Sequence, residues 1–159
     1  LTIGHLIASA RHIPKADRTL RSGEWAKKSL RGTEIGGKRL GLIGYGRIAR
    51  GVGEVAKAMG MVLHTFDPYI SRDVTEASQC TLHDDVDELF RLCTHISIHC
   101  NLSPETHHLV NSERLSMMPG SVQMGPSAVI ISSTAPEGGS STKLQYSPPL
   151  KQGNCLQRL

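Results

Sequence analysis

The chain has 159 residues, enough for one domain with a sizeable core. Hydrophobic residues make up 38% and aromatic residues only 4%, so aliphatic side chains must fill that core. The net charge of +4 is spread thinly, with no basic run beyond Lys27-Lys28 and acids interleaved. That pattern excludes a nucleic-acid-binding stripe, and no apolar stretch approaches membrane-spanning length.

In chain order, Ile3, Leu6, Ile7 and Ala10 mark one face of an opening helix, which Pro14 interrupts or kinks. An amphipathic face reports burial but not against what, so packing within the chain and packing against a second copy are equal expectations. Residues 15–22 predict a short helix stopped by Gly23, and the polar stretch Glu24 to Lys38 predicts a connecting loop. The apolar run Leu40-Gly41-Leu42-Ile43 then enters the turn Gly44-Tyr45-Gly46-Arg47-Ile48-Ala49. Behind it Ile48, Val52, Val55, Ala56 and Met59 recur at helical spacing, and a second apolar stretch, Met61 to Phe66, closes on Asp67.

This is the order of a dinucleotide-binding βαβ unit. The first glycine permits the tight turn, the second lets a pyrophosphate approach the backbone, and small Ala49 lets helix and strand pack closely. The helix N-terminus then offers unpaired N–H groups and the positive end of its dipole to the phosphates. Asp67 lies 21 residues beyond Gly46, where an acid should meet the adenosine ribose hydroxyls. A bare glycine-rich turn without ligand remains the competing reading of the six turn residues alone.

Further along, Asp84, Asp85, Asp87 and Glu88 crowd one helix start, where negative charge is favoured. Val86, Leu89, Phe90 and Cys93 give that helix an apolar face. His95 to Cys100 reads as a strand, Ser103-Pro104 as a turn, Asn111 to Met117 as a brief helix and Ala128 to Ile131 as another apolar run. Strands alternating with helices imply an α/β fold: a Rossmann-type, doubly wound, mostly parallel sheet in three αβα layers. Cys80, Cys93, Cys100 and Cys155 form no CxxC pair and read as reduced thiols of a cytoplasmic protein. His95, His99, His107 and His108 lack the spacing of a metal site, and no metal is expected.

These residues resemble a known family. Ser22-Gly23-Glu24-Trp25, Gly32 to Lys38, Gly41 to Ala49, Phe66-Asp67-Pro68, and Ile96 to Thr106 continuing through Asn111 to Met118 are similar to the D-isomer-specific 2-hydroxyacid dehydrogenases. The similarity is strongest to their D-3-phosphoglycerate dehydrogenase branch. It implies residues 1–38 as an interdomain helix and connecting loop, 39–132 as an NAD-binding domain, and 133–159 as a divergent tail.

In the site so implied, Gly44 and Gly46 shape the turn beside Tyr45, and the Arg47 and Ile48 amides face the pyrophosphate. Asp67 takes the ribose, and His99, Cys100 and Asn101 line the nicotinamide edge. The implied partner is a small 2-hydroxy or 2-keto acid, with a homodimer through the cofactor domain and linking helix.

Beyond Ile131 the sequence departs from the family. Where a substrate-binding arginine should end a motif like Asn-Thr-Ala-Arg-Gly, the chain reads Ser133-Thr134-Ala135-Pro136-Glu137-Gly138. Neither Pro136 nor Glu137 can bind a carboxylate, and all eight histidines lie upstream of residue 109, so none matches the family's proton-exchanging histidine. No catalytic residue is therefore assigned. The sheet is expected to be incomplete at the C-terminus, with residues from about 133 poorly ordered and an exposed edge.

The opening inside a helical pattern at Leu1 leads us to expect a natural start upstream. A truncated product, a disturbed reading frame and a fragment all fit the tail. Two functions stay open: an oxidoreductase domain, and an inactive NAD-binding or sensing module resembling the C-terminal-binding corepressors.

Overall fold

The computed structural model describes residues 1–119, 129–132 and 144–145. Five parallel strands form the sheet, β1 (Arg39–Ile43), β2 (Val62–Phe66), β3 (Cys80–His83), β4 (His95–Ile98) and β5 (Val129–Ser132). A two-residue strand β6 (Leu144–Gln145) pairs antiparallel with β5. The order is β3-β2-β1-β4-β5-β6, so chain direction across the sheet reverses between β1 and β4. In such sheets that reversal opens a crevice at the strand carboxyl ends.

The helices are α1 (Thr2–Ala10), α2 (Ile13–Arg21), α3 (Arg47–Ala58), α4 (Arg72–Ala77), α5 (Val86–Leu92) and α6 (Ser112–Met117). Period-two alternation along β1 divides the core. Leu40 and Leu42 join Leu6, Ala49, Ala56 and Leu63 on the face covered by α1 and α3. Ile43 joins Val86, Leu89, Phe90, Cys93 and Ile96 on the face covered by α5. The result is the expected three-layer αβα arrangement.

Several local expectations are refined. Pro14 does not kink one helix: α1 stops at Ala10, and Pro14 sits in the first turn of α2, where its missing N–H costs no helical bond. Leu6 and Ala10 of α1 are buried within the chain itself, 1% and 5% exposed, and Ile3 packs against the same core. Residues 24–38 are not all loop, because Lys27–Ser29 form a short 3₁₀ turn. At the edge, β6 covers part of β5 where an open edge was expected. The remaining expectations for residues 120–128, 133–143 and 146–159, including the replaced arginine segment, lie outside the described residues.

Candidate functional site

The glycine turn lies where β1 ends. Its Gly44 amide donates to the Phe66 carbonyl at 2.9 Å, extending the β1–β2 ladder by one rung. On the other side the His99 amide donates to the Ile43 carbonyl at 2.7 Å, doing the same for β4. The turn is thus clamped between the ends of both neighbours. Gly44 has φ +82°, and a Cβ there would stand 2.9 Å from the Cys100 nitrogen. Both observations exclude a side chain at this position.

Gly46 begins α3 as its N-cap in extended conformation, with no side-chain cap. Its carbonyl accepts the Arg50 amide at 3.0 Å, the first helical bond. The Arg47, Ile48 and Ala49 amides are therefore first-turn donors without a helical acceptor. A Cβ on Gly46 would meet no atom within 4 Å, so the space in front of the turn is open. Ala49 is fully buried against the sheet, as the motif requires. Arg47 and Ile48 turn their side chains outward, Ile48 being 64% exposed.

Asp67 closes the seat from β2. Its Oδ2 accepts the Tyr45 amide at 2.7 Å and its Oδ1 accepts the Tyr69 amide at 2.9 Å. The acid expected to meet a ribose is therefore also a fastener of the glycine turn. Tyr45, grouped with the cofactor-binding turn, takes part through its main chain. Its side chain is 1% exposed, buried in the α3-side core, and its amide is already donated to Asp67. Tyr45 faces inward rather than toward a ligand.

At the β4 side, burial holds the His99 imidazole down to about 4, and Ser97 Oγ lies 2.8 Å from its Nε2. His99 is consequently neutral at physiological pH. Burial pushes the Cys100 thiol up, with a smaller push from the nearby Asp67 charge, so a thiolate nucleophile is disfavoured there. Asn101 is exposed, and its carbonyl accepts the Thr106 hydroxyl at 2.7 Å, which ties down the following turn. Behind this edge, Arg114 on α6 donates to Asp87 Oδ1 at 2.7 Å and to the Leu109 carbonyl at 2.8 Å.

The structure brings Gly44, Gly46, Arg47, Ile48, Asp67, His99, Cys100 and Asn101 to the carboxyl ends of β1, β2 and β4. Besides the Tyr45 amide on Asp67, two partners were not foreseen, the Tyr69 amide and the packing of Gly44 on the His99–Cys100 backbone. An Asp followed two residues later by an amide in a turn is a recognisable signal for the first. The second joins segments far apart in sequence and leaves no local trace.

His107 and His108 stack edge-to-face, their ring centroids 3.8 Å apart. No cluster of three or more metal-ligating side chains exists among the described residues, and none of their helices is long and apolar enough to cross a membrane.

Comparison with known proteins identifies the family and the fold. Residues 3–131 match the family model described as D-isomer specific 2-hydroxyacid dehydrogenase, NAD binding domain. D-3-phosphoglycerate dehydrogenase of Methanocaldococcus jannaschii is 42% identical over 118 residues, 74% of this chain and 22% of that protein. Hydroxypyruvate reductase of Thermotoga maritima is 39% identical over 118 residues, 74% of this chain and 37% of that protein. The solved D-lactate dehydrogenase of Escherichia coli superposes with a TM-score of 0.72 at 30% identity, covering 82% of this chain and 39% of that one. The chain spans well under half the length of each. By its family model and its relatives alike, the chain belongs to the D-isomer-specific 2-hydroxyacid dehydrogenases, as an NAD-binding domain.

Proposed function

We propose that the chain is the cofactor-holding part of an oxidoreductase acting on the CH–OH group of a small D-2-hydroxy acid, in the manner of 3-phosphoglycerate. The carrying observation is the joint placement of Asp67 and the uncapped first turn of α3 at the β1/β4 crevice. The donor set suits NAD. The Arg47 and Ile48 amides would face the pyrophosphate, Asp67 the adenosine ribose, and the His99–Asn101 segment the nicotinamide edge. When bound, NAD supplies the hydride acceptor.

The residues of this chain bind and orient. Gly44 and Gly46 keep side chains out of the approach, and Asp67 sets the turn while offering acceptors to hydroxyl groups. Neutral His99 is held by Ser97 within the β4 end. No acid–base role is assigned to it, because burial keeps it unprotonated across the physiological range. Nothing in the geometry or in the relatives named above favours the corepressor-like module. Residence in the cytoplasm and a homodimer both fit the family.

Titration calorimetry tests the reading. NAD is expected to bind more tightly than NADP, since the Asp67 carboxylate repels a 2′-phosphate. Replacing Asp67 with Ala should narrow that gap. Equal affinities in the unaltered chain would remove the ribose role from Asp67, and absence of binding to either would overturn the proposal. Because Pro136 and Glu137 stand where the family carries its arginine, this chain alone should not oxidise NADH with hydroxypyruvate, glyoxylate or pyruvate. Measurable turnover by absorbance at the NADH band would refute that.

A further inference from the structure

Away from the glycine turn, three side chains form a hydrogen-bonded line across β2, β3 and α5. His64 pairs in register with Thr81, and Phe66 with His83, so the two histidines stand one diagonal step apart on neighbouring strands. His64 Nδ1 lies 3.0 Å from His83 Nε2, with ring centroids 5.2 Å apart. His83 Nδ1 in turn lies 2.5 Å from Glu88 Oε2 on α5. The line is open to solvent at Glu88, whose side chain is 49% exposed, and closed at His83, which is 10% exposed. At its far end, His64 Nε2 is buried and has no hydrogen-bond partner among the described residues.

Counting donors and acceptors fixes the protons. With Glu88 ionised, His83 must donate from Nδ1, which leaves its Nε2 as an acceptor. His64 therefore donates from Nδ1 and keeps a bare Nε2. One added proton leaves both links intact. His83 then donates at both ends, and His64, now accepting at Nδ1, becomes the Nε2–H tautomer. A further proton on either ring puts two hydrogens into one gap and breaks a link. Burial first, then the charges of His83 on β3 and Arg39 on β1, hold His64 below its ordinary value, so His64 is the ring that stays neutral. The neighbouring charges are engaged elsewhere. Asp84 pairs with Arg72 at 3.1 Å, Asp87 with Arg114 at 2.7 Å, and Arg91 lies 3.9 Å from Asp85.

We propose that Glu88, His83 and His64 form a proton-sensitive clasp that ties α5 and the edge strand β3 to β2, closed with no or one added ring proton and opened by the next. The clasp does not depend on which ligand the glycine turn receives. Its opening would nevertheless loosen β2 beside Phe66, the residue before Asp67. A histidine pair that only fills space needs no fixed tautomer and releases no particular strand.

Nitrogen NMR of the imidazoles in the full chain reads the tautomers directly. At about pH 8, well above the ordinary histidine range, both His64 and His83 should be Nδ1–H forms. On acidification His64 should change to the Nε2–H form while still neutral. An Nε2–H form of His64 in the alkaline sample, or direct passage from Nδ1–H to imidazolium, would overturn the proposal.

Amide-exchange protection supplies the mechanical readout. Toward about pH 5, protection through residues 80–83 should fall about tenfold relative to residues 40–43, the scale of one hydrogen bond to a charged group. His64→Leu, which keeps an apolar group in the gap, should abolish that relative loss. Glu88→Gln alters only the exposed end, so it retains the packing even if the His64 variant fails to fold. It removes the anion that favours the added proton and should move the His64 tautomer change to more acid pH. A relative loss that persists in His64→Leu, or a tautomer change that stays in place in Glu88→Gln, would each overturn the clasp.

Discussion

The two halves of the crevice are built differently. On the β1–β2 side, main-chain groups and one carboxylate do nearly everything. Gly44 bonds to Phe66, Tyr45 and Tyr69 bond to Asp67, and the α3 amides stand open. On the β4 side, side chains hold the edge: Ser97 holds His99, Thr106 holds the Asn101 carbonyl, and Arg114 ties α6 to Asp87 behind them. Main-chain construction makes the first half insensitive to sequence except where a Cβ cannot fit. Side-chain construction makes the second half sensitive to pH and to single truncations. In the reading proposed above, the first half would receive phosphates and sugar, and the second lies shortly before the stretch where the sequence departs from its family.

The most severe way to break this contrast is Gly44→Ala. The left-handed conformation costs about 1–2 kcal/mol, and overlap with the Cys100 backbone adds on the order of 1–3 kcal/mol. Both halves should fail together, because the methyl group wedges the turn away from the β4 end. Chemical denaturation and NAD titration check this; a stable variant with normal binding would show that the halves are not in contact as described.

Acid should loosen the sheet that carries both halves. Burial first, and Lys38 second, hold the buried His95 down to about 4, and burial does the same for His99; both belong to β4 or its end. His64 on β2 is also lowered, by burial first and then by His83 and Arg39. A base whose pKa is depressed on folding binds its proton more readily in the unfolded chain. Stability is then fully present above about 6.5 and lost as pH falls toward about 4. His95 and His99 each account for at most about 3 kcal/mol of that loss. Unfolding midpoints from pH 8 to 4 should fall across this window, and His95→Gln should flatten the curve. An unchanged slope in that variant would remove His95 from the account.

The smallest effect sharpens rather than breaks the comparison. Arg114→Ala removes a half-buried ion pair and a bond to the Leu109 carbonyl, together worth about 1–2 kcal/mol. Hydrogen exchange should quicken through residues 99–110 and stay unchanged at 44–49. Equal acceleration in both segments would mean that α6 supports the whole crevice.

The same division explains what could be read from the sequence. The unit from β1 through α3 to β2 was legible because its glycines, helical period and closing acid lie within one short span, and each reports a local backbone requirement. The helix start at Asp85 was legible too, and its side chain does accept the Asp87 amide. In contrast, α4 and β3 went unread. Cys80-Thr81-Leu82-His83 is four residues long, with no alternation strong enough to separate strand from loop, and only its pairing with β2 makes it a strand. The burial of the Tyr45 side chain went unread for a related reason: a motif position tells where the backbone goes, while burial depends on what the chain later brings beneath it.

Asp67 leaves a consequence that concerns arithmetic more than charge. A carboxylate has about four acceptor positions, and two are taken by the Tyr45 and Tyr69 amides before any ligand arrives. The two left over equal the number of hydrogens that the free 2′ and 3′ hydroxyls of a ribose can donate. A ribose phosphorylated at one of them brings a single donor and leaves an acceptor stranded. With Asp67 receiving the ribose as proposed, discrimination would be a matter of valence as well as repulsion. An amide at position 67 would remove the charge and fail the count, since its NH₂ would face a main-chain N–H that also needs an acceptor.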